Sequence, residues 1–154
     1  MSRIVNLLRP DLIRWSSSYP SVEADGFPDF ETIQKLPSWQ GWGFVDSLQL
    51  KGCIFAWPDR FNEGHLWLGG LWVAVNFRRA GWGQRLVREA LAFADCEGYT
   101  VVKLWVDERN RGVRWFYREL DFHPTGRMRI RPGDPPYHLQ QYAADLRQES
   151  SLPA

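Results

Sequence analysis

Residues 71–86 read LWVAVNFRRAGWGQRL, and this stretch decides the fold prediction. An apolar strand runs into a basic turn that contains glycine, and the turn opens a helix. The N–H groups at the start of a helix have no partner within it, and glycine carries no Cβ that would hold an anion away from the backbone. Arg78, Gly81 and Gly83 therefore predict a turn that binds an anion such as phosphate.

The residues after this turn predict a helix and then a second strand. A single helical stripe of small and apolar side chains consists of Gly83, Leu86, Val87, Ala90, Leu91 and Ala94. Gly98 stands where the end of that helix would turn left-handed. Residues 101–106 are almost continuously apolar, which is typical of a strand covered on both faces in a parallel pairing. The three elements together predict a strand–helix–strand unit.

A second helix is predicted directly after this unit. Asn110 is a good N-cap residue, and an apolar stripe at helical spacing follows it. The stripe consists of Val113, Phe116, Tyr117 and Leu120. Asp121 and Phe122 are expected to close this helix.

In the loop at residues 78–83 and the segment 110–122, the chain resembles the GNAT superfamily of acyl-CoA N-acyltransferases, and the resemblance extends over residues 44–146. The family's pyrophosphate loop reads Arg or Gln, two residues, Gly, one residue, then Gly or Ala, and Arg78, Gly81 and Gly83 satisfy it. Asn110, Tyr117 seven residues later and then residues 120–122 are similar to the family's Asn, Tyr and Leu-Gly-Phe segment.

The resemblance implies a fold of the α+β or α/β class in a single domain over residues 1–154. We expect a mixed, mostly antiparallel sheet of about six to seven strands, flanked by helices and splayed at a central parallel pair. The chain departs from the family pattern at three positions. Val75 stands where members often have proline, and Arg79 and Asp121 stand where they often have glycine.

The resemblance also implies direct transfer of an acetyl group from acetyl-CoA, the co-substrate, to a primary amine through a tetrahedral intermediate. Main-chain N–H groups of the loop would hold the pyrophosphate, an N–H near Val73 would face the thioester oxygen, and Tyr117 would protonate the departing thiolate. Asn110 would contact the cofactor from the other side of the splay. The expected cofactor-binding residues are Trp72, Val73, Val75, Arg78, Arg79, Ala80, Gly81, Trp82, Gly83, Gln84, Asn110 and Tyr117.

The acceptor and the general base stay open at this point. The acceptor is expected to be an amine of a small molecule or of a peptide. Trp105 stands where some family members that acetylate protein N-termini carry a glutamate. The candidate bases are Glu63, His65, Asp107 and Glu108, and deprotonation through water is the other option. An alternative function is a catalytically silent sensor or interaction module that binds acyl-CoA.

Composition narrows the class of protein further. The net charge is +1, yet residues 78–131 hold eleven arginines and one lysine against seven acidic side chains. This excess fits the proposed cofactor half and is the only argument for nucleic acid, which we do not expect as a partner. The two cysteines and three histidines have no metal-ligand spacing, so no metal site is expected. No stretch is apolar enough for a signal peptide or a membrane span, which predicts a cytoplasmic protein. The protein is expected to be a monomer or a homodimer.

The rest of the chain is interpreted more coarsely. Strands are expected at 43–46 and 50–57, joined by residues 47–49, and at 65–75, where Gly69-Gly70 indicates a bulge or a close approach. A hairpin is expected from 122–131 and 137–146. Residues 1–40 are expected to cover the acceptor, with a strand near residues 3–8 and short helices near 11–17 and 29–36. Residues 147–154 are expected to be a frayed tail.

Overall fold

The computed structural model describes residues 2–8, 10, 33 and 35–147, and these form a seven-stranded sheet with two α-helices. The strands are β1 (Arg3–Leu7), β2 (Gln40–Asp46), β3 (Gln49–Pro58), β4 (His65–Val73), β5 (Val101–Asp107), β6 (His123–Arg131) and β7 (Tyr137–Asp145). Helix α1 (Trp82–Cys96) follows β4, and helix α2 (Arg111–Glu119) follows β5. A turn of 3₁₀ helix, Val75–Phe77, lies between β4 and α1.

The strand order in the sheet is β1-β2-β3-β4-β5-β7-β6. Strands β4 and β5 pair in parallel, with His65 opposite Val101 and Trp67 opposite Lys103. Four other pairs, β1–β2, β2–β3, β5–β7 and β6–β7, are antiparallel. Helix α1 makes the crossover that a parallel pair requires. The predicted fold class is therefore confirmed, including the parallel pair in the middle of a mostly antiparallel sheet.

Residue contacts divide the chain into two compact units. The first unit contains the residues up to Pro58 together with Leu68–Phe93, and the second contains Asp59–Trp67 and the residues from Ala94 onward. The boundary falls within β4 and near the end of α1, so neither element belongs to one unit alone.

The first unit is stabilised by apolar packing on both faces of its strands. Helix α1 buries Leu86, Val87 and Ala90 completely, which confirms the predicted stripe. A second cluster of buried residues consists of Leu7, Ile33, Val45, Leu50, Cys53, Phe55 and Trp72. A Cβ added to Gly69 would lie 2.5 Å from the Trp57 ring, so this glycine makes room for a side chain, and Gly70 has a left-handed φ of 67°.

The second unit is organised around β5, which pairs with β4 on one side and β7 on the other. Its side chains Val102, Leu104 and Val106 are buried, as the apolar run predicts. The remaining buried position is Lys103, whose ammonium pairs with Asp59 at 2.5 Å and lies over the Trp67 ring. The charged lysine is thus accommodated inside the sheet because an acidic partner and an aromatic face surround it.

Strand β4 ends two residues earlier than the sequence predicts. The expected strand reached Val75, whereas the observed strand stops at Val73 and Val75 begins the 3₁₀ turn. The Ala74 N–H donates to Lys51 O of β3 at 2.7 Å, and the Phe77 N–H then donates back to Ala74 O at 2.8 Å. The backbone therefore curls at Ala74, because its carbonyl is taken by the turn and not by a neighbouring strand.

The other boundaries agree with the predictions to within a few residues. The β2–β3 hairpin closes through Ser47 and Leu48 alone, both with positive φ, so its loop is one residue shorter than expected. The predicted strand near residues 3–8 and the C-terminal hairpin are observed. The predicted helix at 11–17, most of that at 29–36 and the tail after Arg147 lie outside the described residues.

Candidate functional site

Residues 78–84, the turn before α1 together with the first three residues of the helix, are called the α1 turn from here on. Arg79 and Gly81 both have left-handed φ, 63° and 83°, and residues 78–81 are exposed. Within the described chain, the N–H groups of Arg79, Ala80 and Gly81 donate to no main-chain carbonyl. The Arg85 N–H makes the first bond of the helix, to Gly81 O at 3.1 Å. The α1 turn therefore offers a run of main-chain donors to solvent.

The two side chains nearest these donors are already oriented by the protein. Arg78 Nε donates to Val73 O at 2.8 Å, which fixes the guanidinium beside the end of β4 and leaves its terminal nitrogens for another acceptor. Arg85 lies over the Trp82 ring, and Trp82 stacks on Phe44 with ring centroids 3.7 Å apart. This stacking anchors the first residue of α1, and with it the α1 turn.

The end of β4 presents one free edge. The Ala74 N–H points to β3, and because successive N–H groups of an extended chain point in opposite directions, the Val73 N–H points away from β3. Trp72 is buried in the core, so its ring packs inside and only its main chain is near this edge. Val75 is 70% exposed and lies outside the strand, which corrects its predicted position.

Asn110 and Tyr117 lie in the second unit, whereas the other ten predicted cofactor residues lie in the first. Asn110 is the N-cap of α2 as predicted, because its side-chain oxygen accepts from the Val113 N–H at 3.1 Å. The Asn110 carboxamide is thereby held in one orientation, and its NH₂ group has no partner among the described residues.

Tyr117 is the buried residue of α2, 7% exposed, and its ring packs edge-on against Phe116 and Phe122. Burial raises the pKa of the Tyr117 phenol well above its usual range, so the group keeps its proton at any neutral or mildly alkaline pH. Within the described chain the hydroxyl makes no hydrogen bond. A buried, protonated hydroxyl of this kind can donate a proton but cannot act as a base.

The end of α2 fixes the position of Tyr117. The Asp121 N–H donates to Arg118 O at 3.1 Å and the Phe122 N–H to Tyr117 O at 3.0 Å, while Asp121 has a left-handed φ of 66°. This is a Schellman motif, and the contact between the Tyr117 and Phe122 rings is the apolar contact that accompanies it. The prediction that Asp121 and Phe122 close the helix is confirmed.

The candidate bases lie in different surroundings. His65 has a buried Nδ1 without a partner, and its pKa is lowered chiefly by desolvation and then by Lys103, so the ring is neutral at neutral pH. Asp107 is held by Arg109, whose hydrogen bonds lower the pKa of Asp107, and Glu108 pairs with His138 at 3.1 Å. Glu63 is exposed. Of the four, His65 combines a neutral ring with an unused nitrogen.

Trp105, which the sequence analysis singled out, stacks on Trp67 at 5.7 Å, and Arg129 lies over the Trp105 ring. One feature of the second unit was not singled out from the sequence. It is the arginine-rich face of α2, whose spacing of three and four residues could have been noticed in the sequence. Among the described residues, no cluster of His, Cys, Asp and Glu could hold a metal ion, and no helix is long and apolar enough to cross a membrane.

Comparison with known proteins gives a consistent result. The model of the acetyltransferase (GNAT) family matches residues 3–122. A probable N-acetyltransferase of Mycobacterium tuberculosis is 32% identical over 93 residues, 60% of this chain and 52% of that protein. An uncharacterized N-acetyltransferase of Methanocaldococcus jannaschii is 36% identical over 52 residues, 34% of this chain and 23% of that protein. The chain thus spans about half of the first relative's length and about a quarter of the second's.

Solved structures share the fold at low identity. The ribosomal-protein-S18-alanine N-acetyltransferase of Escherichia coli superposes with a TM-score of 0.77 at 17% identity, over 95% of this chain and 94% of that one. Arabidopsis thaliana NAA60 in complex with acetyl-CoA gives 0.76 at 15% identity, over 96% and 99%. The same plant protein in complex with a bisubstrate analogue gives 0.76 at 14% identity, over 94% and 98%.

Proposed function

Since the chain belongs to the GNAT family of acetyltransferases, we propose that it transfers an acetyl group from acetyl-CoA to a primary amine of a small molecule or a peptide. The observation that carries this proposal is the α1 turn, whose exposed N–H groups have no main-chain acceptor in the described protein.

The α1 turn is suited to the pyrophosphate of acetyl-CoA. The N–H groups from Arg79 to Gln84 would bind it at the positive end of the α1 dipole, where residues 78–81 are exposed. A Cβ at Gly81 would meet no atom within 4 Å, so the protein leaves open space there for a ligand. Arg78 adds a guanidinium whose Nε is already satisfied by Val73 O, and its terminal nitrogens are placed for a phosphate oxygen.

The end of β4 is suited to the thioester. The Val73 N–H points away from β3, and we propose that it donates to the thioester oxygen as the amine attacks. Trp72 and Val75 flank this residue and would contribute main-chain contacts only. Negative charge that develops on the oxygen is then stabilised by a donor that the strand holds in place.

Tyr117 is the proposed general acid for the departing thiolate. Its raised pKa keeps the phenol protonated, and its hydroxyl is not engaged by any described residue. Because a thiol has a pKa of about 8.5, the thiolate is a tolerable leaving group and the acid makes a modest contribution. Asn110 fixes the start of α2 and would donate from its NH₂ group to the cofactor.

The acceptor must lose a proton before it attacks. At pH 7 a lysine amine with a pKa near 10.4 is neutral about once in 2,500 molecules, whereas an α-amine near 7.8 is neutral about one time in seven. An α-amine therefore needs little help from a base, and deprotonation through water would suffice for it. Release of free thiol over a panel of amines distinguishes a small-molecule acceptor from a peptide acceptor.

Ligand-induced stabilisation tests the first half of this proposal. The thermal unfolding of the full chain is measured with acetyl-CoA, CoA and ATP, each at ~100 times its dissociation constant where binding occurs. Acetyl-CoA and CoA should each stabilise the fold by about 2.7 kcal/mol. Stabilisation by ATP without stabilisation by acetyl-CoA would overturn the proposed co-substrate.

Release of free thiol over a panel of amines tests the second half. The panel contains polyamines, aminoglycosides, free amino acids and peptides with different N-terminal residues. At least one amine should release CoA in proportion to acetylated product. Saturable binding of acetyl-CoA with no release over the whole panel would favour the alternative, a catalytically silent acyl-CoA sensor.

A further inference from the structure

A cavity of about 320 Å³ lies beside α2, apart from the residues proposed to bind the co-substrate. Its lining consists of Arg111, Arg114, Trp115, Arg118 and Tyr142. Arg114 and Trp115 each lie three or four positions from both Arg111 and Arg118, so the four helical residues line one broad face of α2. Tyr142 belongs to β7, and both elements lie in the second unit. The cavity is therefore built from a helix face and a strand of one compact unit.

Within the described part of the chain, none of the three arginines of this cavity makes an ion pair or a side-chain hydrogen bond. Two other arginines of the same unit are paired, Arg109 with Asp107 at 2.7 Å and Arg147 with Asp145 at 3.0 Å. Like charges on one helix face repel each other. The fold thus keeps three cations together where an anion would relieve their repulsion.

Arg114 gives the most direct indication of a ligand. Its Nε is buried and has no hydrogen-bond partner in the described structure. A buried donor without an acceptor destabilises a fold, since it loses water and gains nothing in return. An oxygen of a bound anion would satisfy this donor, and its charge would be shared with the neighbouring guanidinium groups.

Trp115 supplies a flat apolar surface at the same place. It is 69% exposed, an unusual state for the largest side chain, and it lines the same cavity as Arg114 and Arg118. An indole so placed can stack on a planar ring, while the guanidinium forks match the oxygens of a phosphate.

We propose that this cavity is a second anion site, which binds a small molecule that carries a phosphate group next to a planar ring. Three guanidinium groups match a doubly charged phosphate better than a single carboxylate, and the volume suits a small ligand. None of the lining residues is among those proposed to bind acetyl-CoA, so failure of this site and failure of co-substrate binding can be told apart.

The test uses the full chain saturated with CoA, so that the α1 turn is already occupied. Binding of phenyl phosphate, methyl phosphate and phenol is measured by calorimetric titration. Phenyl phosphate should bind more tightly than methyl phosphate, and phenol should not bind. Failure of both phosphates to bind, or displacement of phenyl phosphate by added CoA, would overturn the proposal.

Substitutions then locate the site. Arg114→Met should weaken phenyl phosphate binding by about tenfold or more, because a charged hydrogen bond is lost. Arg131→Ala, which removes the same charge from the exposed β6, should leave binding within about twofold. Trp115→Ala should weaken phenyl phosphate and spare methyl phosphate.

Two outcomes would contradict this assignment. Equal weakening by Arg131→Ala and Arg114→Met would show a diffuse charge effect and no site. Binding of polyglutamate that depends on Arg114, without binding of either phosphate, would indicate an acidic protein partner instead.

If Arg114→Met does not fold, the pair Arg111→Ala and Arg118→Ala replaces it with the same expected loss of phenyl phosphate binding. Unliganded Arg114→Met is expected to be at least as stable as the wild type, since it removes a buried donor that has no partner among the described residues.

Discussion

The α1 turn and the segment 110–122, called the α2 segment, each place a bulky residue where the GNAT pattern often has glycine. Arg79 and Asp121 adopt nearly the same left-handed conformation, with φ of 63° and 66°. Their surroundings differ. The N–H of Asp121 bonds to Arg118 O within the Schellman motif, whereas the N–H of Arg79 has no main-chain acceptor in the described chain. The left-handed Asp121 ends helix α2, whereas the left-handed Arg79 lies among N–H groups that have no main-chain acceptor.

The replacement of a family glycine by a larger residue therefore has different physical consequences in the two regions. In the α2 segment the backbone conformation is a means of ending a helix, and the chain satisfies its own hydrogen bonds. In the α1 turn the same conformation leaves donors exposed at a helix start, which is favourable only when an anion accepts them. Substitutions in the α2 segment should therefore change stability, and substitutions in the α1 turn should change ligand affinity.

The largest effect is expected from Phe122→Ala. Phe122 is fully buried and packs on Tyr117, so the substitution should lower the free energy of unfolding by about 3–5 kcal/mol. Phe61→Ala is the matched control, because Phe61 is 85% exposed and should change stability by less than ~0.5 kcal/mol. Urea denaturation of both variants measures the difference. Equal effects would show that the α2 segment is not held by this packing.

Tyr117→Phe comes next in size, and its effect should be on rate. We expect kcat to fall by about 10²-fold, the low end for general acid catalysis, because the thiolate leaves readily even without help. Stability should change by less than ~1 kcal/mol, since the hydroxyl has no partner in the described chain. The binding of acetyl-CoA should not change. An unaltered kcat would show that Tyr117 serves only to pack α2.

A smaller effect is expected when glycine is restored at the two left-handed positions. Both Arg79→Gly and Asp121→Gly should raise the free energy of unfolding by about 0.5–1 kcal/mol, because the left-handed conformation then carries no Cβ penalty. Arg79→Gly should also weaken acetyl-CoA binding, whereas Asp121→Gly should not. If both variants bound acetyl-CoA more weakly, the claim that only the α1 turn contacts the co-substrate would be contradicted.

Much of the fold follows from the sequence because the deciding signals are local. The periodicity of residues 83–94 gives α1, the apolar run at 101–106 gives β5, and Asn110 gives the start of α2. Each depends on side chains within a few residues of one another. The assignment of the α1 turn to the co-substrate stays a prediction, and the spacing of Arg78, Gly81 and Gly83 carries it.

Other features depend on distant partners and could not be predicted. The tight β2–β3 turn uses Ser47 and Leu48 without the Asn-Gly signal that normally marks such a turn. The cavity beside α2 exists only because β7 brings Tyr142 to the arginine face. Local patterns indicate none of these contacts.

The central claim is tested most directly by two glycines at the two ends of α1. Gly81 and Gly98 have φ of 83° and 85°, and a Cβ on either would meet no atom within 4 Å. Alanine at either position should therefore cost similar stability, about 1–2 kcal/mol. Calorimetric titration with acetyl-CoA should show a loss of about tenfold or more in affinity for Gly81→Ala and no loss for Gly98→Ala. Equal affinities in the two variants would contradict the assignment of the α1 turn to the co-substrate.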